Sequence, residues 1–392
     1  MNLRIAMLST YPPTQCGIAT FSRSLATAIT GTGIDVNIVR LGGNKEPANN
    51  PIIIADHDTK SDVARTIRTL NDHDIVIVQH EFGIYGGDDG VELLEILSGL
   101  KVPFISVLHT VAAQPTPGKQ HVVQTLLDDS DTVVVLSESA LQSLIRSHNV
   151  YKRRIKVIPH GAPGLSIPER GEEIRMRPRI LTWGLLGEGK GIEWGIEALA
   201  QLRDVDPMPD YYVVGQTHPK VVQRDGYRYR EYLENLARTL GVADHVHFLD
   251  GYLDSAALAR VITSADFYLL PYDARDQVTS GVLAEAMVAG GPVIATRFPH
   301  AVELLGDGTG ALVDHQNPDD IADALQQLIL QPQIRRHMRS QTRIKSTKFL
   351  WPSVGNEFNK LAHSIIYEQR NPLSGATLER EPLVRAALSE AS

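Results

Sequence analysis

The sequence predicts an α/β protein built as two Rossmann-like domains, each a parallel sheet covered by helices. Three observations carry this. Short apolar runs alternate with helical stretches along the chain; the runs are apolar on both faces, as strands of a covered parallel sheet must be; and a proline- and glycine-rich stretch splits the series into two. At 392 residues the chain also exceeds what one hydrophobic core usually supports, so two domains of roughly 150 to 200 residues are expected.

The first series of runs lies at residues 5–8, 36–39, 75–78, 104–108, 133–136 and 157–158, and the second at 180–183, 211–214, 246–249, 267–270, 293–295 and 311–313. Parallel neighbours need a crossover connection, which the intervening helical stretches supply. Between the series, Pro159-His160-Gly161-Ala162-Pro163-Gly164 and the polar stretch up to Pro178 have the composition of a linker. The boundary is expected near residue 168, giving an N-terminal domain over 1–167 and a C-terminal domain over 168–350. A last helix over 352–368, within a 351–370 segment, carries Val354, Phe358, Leu361, Ile365 and Ile366 at helical spacing. It is expected to cap a domain or cross back to the first. Residues 371–392 read as a frayed tail.

Composition narrows the function. A formal charge of −8 without a Lys/Arg block argues against nucleic-acid binding. Cys16 is the only cysteine, which excludes an intramolecular disulfide and fits a reducing compartment, so a cytoplasmic location is expected. The N-terminal apolar run is short for a signal peptide, and no segment reaches the roughly 18 apolar residues of a spanning helix. Peripheral membrane contact stays open. No metal site is expected: Asp129/Asp131 and His245/His247 are close pairs without a third or fourth ligand.

The most informative stretch runs from Gln277 to Met287, followed by Ala289-Gly290-Gly291-Pro292-Val293. Thr279, Ser280 and Gly281 open a short helix, Gly290 and Gly291 close it, and Pro292 starts a strand. Free amides at that helix start would face a loop where an anion could sit. Glu285, one turn later, is placed to accept hydrogen bonds from a ribose diol. In the second domain, Trp183-Gly184-Leu185-Leu186-Gly187-Glu188-Gly189-Lys190-Gly191 follows a strand and precedes a helix; it reads either as an anion cradle or as a glycine-rich turn with a solvated lysine. In the first, Gly17 lies between a strand and a helix. It would let backbone approach a sugar or phosphate, or simply serve an ordinary turn. His80 and His109 end strands, where a histidine is either a hydrogen-bonding residue or a site residue. His109 leads into the loop 111–117, long enough to line a cleft.

Together, the two Rossmann-like halves, the Pro-His-Gly linker and the Glu285 segment resemble the retaining glycosyltransferases of family four, which have the GT-B architecture. The resemblance covers roughly residues 3–368. Residues 11–21, Gly215-Gln216-Thr217-His218-Pro219 and Thr279-Ser280-Gly281-Val282-Leu283 are similar to a mannosyltransferase-like branch. The resemblance implies parallel sheets facing an interdomain cleft, with the acceptor on the N-terminal side and the nucleotide-sugar donor on the C-terminal side. It implies that Glu285 binds the ribose, that the Ser280, Gly281 and Val282 amides and Lys190 hold the diphosphate, that His109 contacts the transferred sugar, and that Gly17 faces donor and acceptor. A base-binding loop would hold Asp250, Gly251 and Tyr252.

Two positions depart from the family. Gln277 stands where the family has a first glutamate that contacts the donor sugar, and Leu185 stands where it has an arginine. Gln277 can still hydrogen-bond to hydroxyls, and Arg275 is the candidate replacement for the lost guanidinium. The resemblance implies a hexosyl transfer, mannosyl first, from GDP-mannose or a UDP-sugar to a glycan, lipid-linked or small-molecule hydroxyl acceptor, without cofactor or metal. Two rivals stay open: a nucleotide-sugar-binding protein that has lost catalysis, and a nucleotide-sugar epimerase.

Overall fold

A computed structural model describes residues 3–42, 53–57, 62–150, 154–165, 177–217, 219–251 and 253–371. The boundary expected at residue 168 and the tail from 372 onward lie outside the described residues.

Two sheets, parallel at every pairing among the described residues, account for the two series of apolar runs. The first has seven strands, β1 (Arg4–Ser9), β2 (Asp35–Leu41), β3 (Ile53–His57), β4 (Ile75–His80), β5 (Phe104–Leu108), β6 (Thr132–Val135) and β7 (Ile155–Val157), in the order β3-β2-β1-β4-β5-β6-β7. Its helices are α1 (Gly17–Thr30), α2 (Val63–Asn71), α3 (Leu93–Ser98), α4 (Pro117–Asp129) and α5 (Glu138–Ser147). The second has β8 (Arg179–Trp183), β9 (Asp210–Val214), β10 (Val246–Leu249), β11 (Phe267–Leu270), β12 (Val293–Thr296) and β13 (Ala311–Val313), in the order β10-β9-β8-β11-β12-β13. Its helices are α6 (Ile192–Gln201), α7 (Pro219–Asp225), α8 (Arg228–Thr239), α9 (Ser255–Ser264), α10 (Gly281–Ala289), α11 (Pro299–Leu305), α12 (Pro318–Leu330) and α13 (Pro332–Ser346), and α14 (Trp351–Arg370) follows.

Consecutive residues of one strand enter opposite cores. Ile5 and Met7 of β1 pack with α1, while Ala6 and Leu8 pack with α2, α3, α4 and α5. Likewise Ile180 of β8 faces α6, α8 and α12, and Leu181 and Trp183 face α10 and α11. This two-sided burial produces the unbroken apolar runs. Sequence reasoning missed β3, an edge strand whose only neighbour is β2, with a register shift between Ile38 and Val39. The run Ile52-Ile53-Ile54-Ala55 is as long as several that were read as strands, so the apolar signal was present and was overlooked.

In both sheets the strand order reverses beside the first strand, between β1 and β4 and between β8 and β11. Loops leaving the carboxyl ends on either side of such a reversal diverge and leave a crevice, which is where open α/β sheets bind ligands. The loops leaving β1, β4, β5, β8 and β11 carry Gly17, Glu81, His109, Lys190 and Gln277 respectively.

The chain passes between the two halves twice, and the passages are tied together. The Ala162 amide donates to Phe349 O at 2.7 Å and the Trp351 amide to Ala162 O at 3.2 Å, with the Trp351 ring against Gly161. Beyond that point α14 returns to the first sheet, where Val354, Phe358, Leu361, Ala362 and Ile365 share one core with Phe21, Leu25 and Ile29 of α1. The α1–α14 contact is close enough that a Cβ at Gly355 would lie 2.7 Å from the Ala28 carbonyl carbon. Gly355→Ala is therefore expected to destabilise by about 1–3 kcal/mol through overpacking, despite alanine's better helix propensity. The check is its melting temperature against wild type; an unchanged or higher value contradicts this packing.

Candidate functional site

Helix α10 is apolar except for Glu285, with Leu283, Ala284, Ala286, Met287 and Ala289 buried, so apart from that carboxylate its polar groups matter at its ends. At the carboxyl end Gly290 adopts φ 71° and its amide reaches the Ala286 and Met287 carbonyls. At the amino end Ser280 is the cap: its Oγ accepts from the Leu283 amide at 3.2 Å. The Ser280 amide itself donates to His300 Nδ1 at 2.9 Å. This corrects the sequence reading, in which the Ser280 amide was free for an anion. The amides of Gly281 and Val282 are the ones without a partner among the described residues. Beside them, the Thr279 hydroxyl is buried and makes no hydrogen bond.

The glycine loop after β8 packs beside this helix start. Gly191, at φ 63°, precedes α6 and presses so closely on Pro271 O that a Cβ would collide with it. The Asp273 amide donates to Gly189 O at 2.9 Å and Trp194 Nε1 to Asp273 Oδ2 at 3.0 Å, which fastens the loop after β11 to the glycine loop. Lys190 Nζ lies 4.2 Å from the centre of the Tyr272 ring and has no carboxylate partner among the described residues. Burial pushes its pKa down to about 8. A desolvated ammonium with no counter-ion is a site that an arriving anion stabilises.

Behind it, Glu285 accepts from Trp183 Nε1 at 2.8 Å through Oε2. Burial holds its carboxyl above the usual range, and the indole hydrogen bond opposes that shift. Gln277 donates from Nε2 to Thr279 O at 3.1 Å, so its amide braces its own loop. Leu185 is half-buried, and Arg275 is exposed with no ion pair among the described residues. In the loop nominated for a base, Asp250 pairs with Arg230, whose guanidinium lies 3.9 Å from the Phe248 ring centre, and Gly251 has φ 123°. Tyr252 lies outside the described residues.

From the first domain, Gly17 begins α1 directly after the cap Cys16, whose Sγ accepts from the Ala19 amide at 3.3 Å. A Cβ at Gly17 would meet nothing within 4 Å, so the protein's own packing does not demand glycine there. His109 is paired through Nε2 with Gln79 Oε1 at 2.7 Å and stands edge-on to Phe21, ring centres 4.6 Å apart. Burial, aided by the neighbouring His160 and His80, holds its pKa down to about 3. His80 is fully buried, and neither of its ring nitrogens finds a partner.

Sequence reasoning missed His160 and His300. His160 was read as part of the linker, yet its Cε1–Nε2 edge closes over the start of α10: a Cβ at Gly281 would lie 2.8 Å from both atoms. His300 was not singled out at all; it lies one helix further on, and only the fold brings it to Ser280. A Pro-His-Gly turn directly after a strand of a Rossmann-like sheet was the available signal for the first. No signal in the sequence marks the second.

The two halves meet around this point. Ser137 Oγ donates to Val278 O at 2.5 Å, Val278 joins the core of the first domain, and the Glu138 and Ser139 amides at the start of α5 donate to the Glu303 carboxylate at 3.1 and 2.7 Å. At the mouth Gln216 Nε2 lies 3.4 Å from Gln15 Oε1, so two of the stretches that carried the family resemblance face each other. Among the described residues, no helix is long and apolar enough to cross a membrane, and no group of three or more His, Cys, Asp or Glu side chains is arranged to hold a metal ion.

Known proteins resemble the chain in both halves. The family described as Glycosyltransferase Family 4 matches residues 16–163, and Glycosyl transferases group 1 matches residues 177–331. The chain is 29% identical over 310 residues to D-inositol 3-phosphate glycosyltransferase of Corynebacterium jeikeium, spanning 72% of this chain and 70% of that protein. It is 33% identical over 162 residues, 40% of each chain, to GDP-mannose-dependent alpha-(1-6)-phosphatidylinositol monomannoside mannosyltransferase of Mycolicibacterium smegmatis. Among solved structures, HepE of Anabaena in complex with UDP and glucose superposes with a TM-score of 0.75 at 17% identity, covering 93% of this chain and all of that one. Paired parallel sheets, facing switch points and both family matches lead to one conclusion: the chain belongs to the family-four glycosyltransferases of GT-B architecture.

Proposed function

We propose that the protein transfers a hexosyl group, mannosyl first, from a nucleoside diphosphate sugar to a hydroxyl acceptor with retention of anomeric configuration and without a metal. One observation carries the reading: the Gly281 and Val282 amides at the start of α10 are unpartnered, and the glycine loop that packs against Val282 at Gly184 carries Lys190, whose ammonium has no counter-ion among the described residues. Backbone donors and a cation placed together in this way suit a diphosphate. Breaking the bond between anomeric carbon and phosphate oxygen leaves an oxocarbenium-like sugar and concentrates charge on the departing phosphate. Fixed donors in a desolvated cleft stabilise that charge with little reorganisation.

In this reading Glu285 accepts from the ribose hydroxyls through the oxygen that Trp183 does not use, with Asp250, Gly251 and Tyr252 near the base. His109, held neutral, orients the sugar, and Gln277 releases Thr279 O to reach a sugar hydroxyl. Gly17 leaves room for donor and acceptor. The leaving phosphate takes the acceptor proton on the same face, so no protein base is required. The C-terminal half binds the donor and the N-terminal half the acceptor, in the cytoplasm. GDP-mannose is favoured by the name of the mycolicibacterial relative, and a UDP-sugar by the ligand of the Anabaena structure. The names of the two bacterial relatives point to inositol-containing acceptors, within the small-molecule and lipid-linked classes.

Loss of the arginine at Leu185 and an exposed Arg275 favour one second reading, a nucleotide-sugar binder without transfer. Radiolabelled GDP-mannose and UDP-glucose offered with inositol phosphates and phosphatidylinositol separate the two. A glycosylated product supports transfer, and tight nucleotide binding with no product from any common donor supports the binder.

Lys190→Ala is expected to lower kcat by about two to three powers of ten, the scale of losing one transition-state donor, with a smaller change in nucleotide affinity. Turnover at the wild-type level would remove the role given to Lys190. The pH profile gives an independent check. The ammonium is the active form and its pKa lies near 8, so kcat/KM should fall more steeply above that pH than below it, by about a further tenfold per unit. In Lys190→Arg this extra steepness should vanish. Glu285→Ala should weaken nucleotide binding by about 1.5–3 kcal/mol, measured by calorimetry, the range of a hydrogen bond to a charged group.

A further inference from the structure

We propose that His160 contacts the departing phosphate directly: its Nε2 takes up a proton from solvent when a diphosphate seats on α10, and holds it as a charged hydrogen bond to the leaving oxygen. This rests on the function proposed above and adds a residue to which no role has been given.

The geometry points to Nε2 in particular. His160 Nδ1 lies 2.8 Å from Gly161 O, so it carries the proton of the neutral ring and leaves Nε2 with a bare lone pair. Nε2 makes no hydrogen bond among the described residues, and the edge that carries it faces Gly281, whose amide is one of the two free donors. The ring is held edge-on to Phe21, 5.0 Å between centres, and 6.0 Å from the Trp351 ring. Because that ring edge lies against Gly281 itself, we place an oxygen bound by the Gly281 amide within reach of Nε2. Neutral Nε2 would oppose that oxygen lone pair to lone pair, and protonated Nε2 would bind it.

The other groups around the helix start are less able to take the proton. His300 accepts the Ser280 amide at Nδ1, so protonation would cost it that hydrogen bond. His109 is committed to Gln79, and His80 is sealed in the core. Lys190 is already largely protonated below pH 8, and the Glu285 carboxyl is bound to Trp183. Lys348 acts on this cluster as a further positive charge, through His300. In the protein alone burial keeps His160 neutral, with a pKa down to about 4. Two phosphate charges beside it shift the balance the other way. A residue that becomes cationic only with its ligand supplies what Leu185 no longer can.

The proton balance is closed. One proton passes from solvent to Nε2 on binding; the electron pair of the broken sugar–oxygen bond stays on the phosphate; and Nε2 returns its proton to solvent when the nucleoside diphosphate departs.

The test uses the full chain and the nucleotide sugars GDP-mannose and UDP-glucose, whose diphosphate diesters do not titrate near neutrality. Binding is measured calorimetrically near pH 6.5 in two buffers of different ionisation enthalpy, for wild type and His160→Gln. The expected result is uptake of about one proton by wild type, with affinity rising up to about tenfold for each pH unit lowered. In His160→Gln uptake and pH slope should disappear while the melting temperature is kept, and kcat should fall more than KM changes. Binding by wild type without uptake overturns the proposal and leaves the glycosyltransferase reading standing. Undiminished uptake in His160→Gln overturns it too, by placing the proton on another imidazole. Absence of binding by every nucleotide sugar overturns the reading beneath it as well.

Discussion

The site depends on keeping the Gly281 and Val282 amides open at the start of a buried helix. A buried amide without a partner costs on the order of 1–3 kcal/mol, so a fold that leaves two such groups open must satisfy their neighbours. It does so by division of labour. Ser280 Oγ serves the Leu283 amide, His300 serves the Ser280 amide, and Gly290 closes the far end with a left-handed residue. The apolar body of α10 sits between the second sheet and the last helices, where it has no freedom to shift and hide the open pair.

Charge follows the same logic. The protein carries a formal −8, yet the carboxylates nearest Lys190 are already engaged: Glu285 accepts from the Trp183 indole and Asp273 from the Trp194 indole. Against them stand a lysine without a partner and three imidazoles, His109, His160 and His300, that burial keeps neutral. Burial around these groups lowers the local dielectric, which strengthens each donor toward an arriving anion. Strong permanent ion pairs would have used up those donors.

How much of this was legible follows from the range over which each feature is encoded. Twelve of the thirteen described strands announce themselves by consecutive apolar residues, most of them because both faces of the sheet are covered, whereas β3 was passed over although Ile52-Ile53-Ile54-Ala55 is a run of similar length. The cap, body and end of α10 were legible because Ser280, the apolar run and Gly290 act within one helix. Which amide remains free was not, since the acceptor that occupies Ser280 comes from α11 and depends on how α10 and α11 pack. His160 was hidden for another reason: a proline- and glycine-flanked residue reads as linker, and only the second crossing of the chain at Trp351 shows that this linker lies along the cleft. Arg275 is a case of sequence proximity alone: it stands two residues before Gln277 and is exposed, so its part in the site depends on what binds there.

The loop that delivers the open amides is also the loop that joins the two halves. Val278, two residues before the cap, inserts into the first domain's core and receives Ser137 through its carbonyl, while Glu303, from the helix that supplies His300, caps the start of α5. Two carboxylate oxygens on two helix-start amides form a charge-assisted pair whose strength depends on domain position. The residues that make the interdomain contact are therefore the sequence neighbours of those that shape the helix start, so the joint between the halves and the anion site are built from the same short segments.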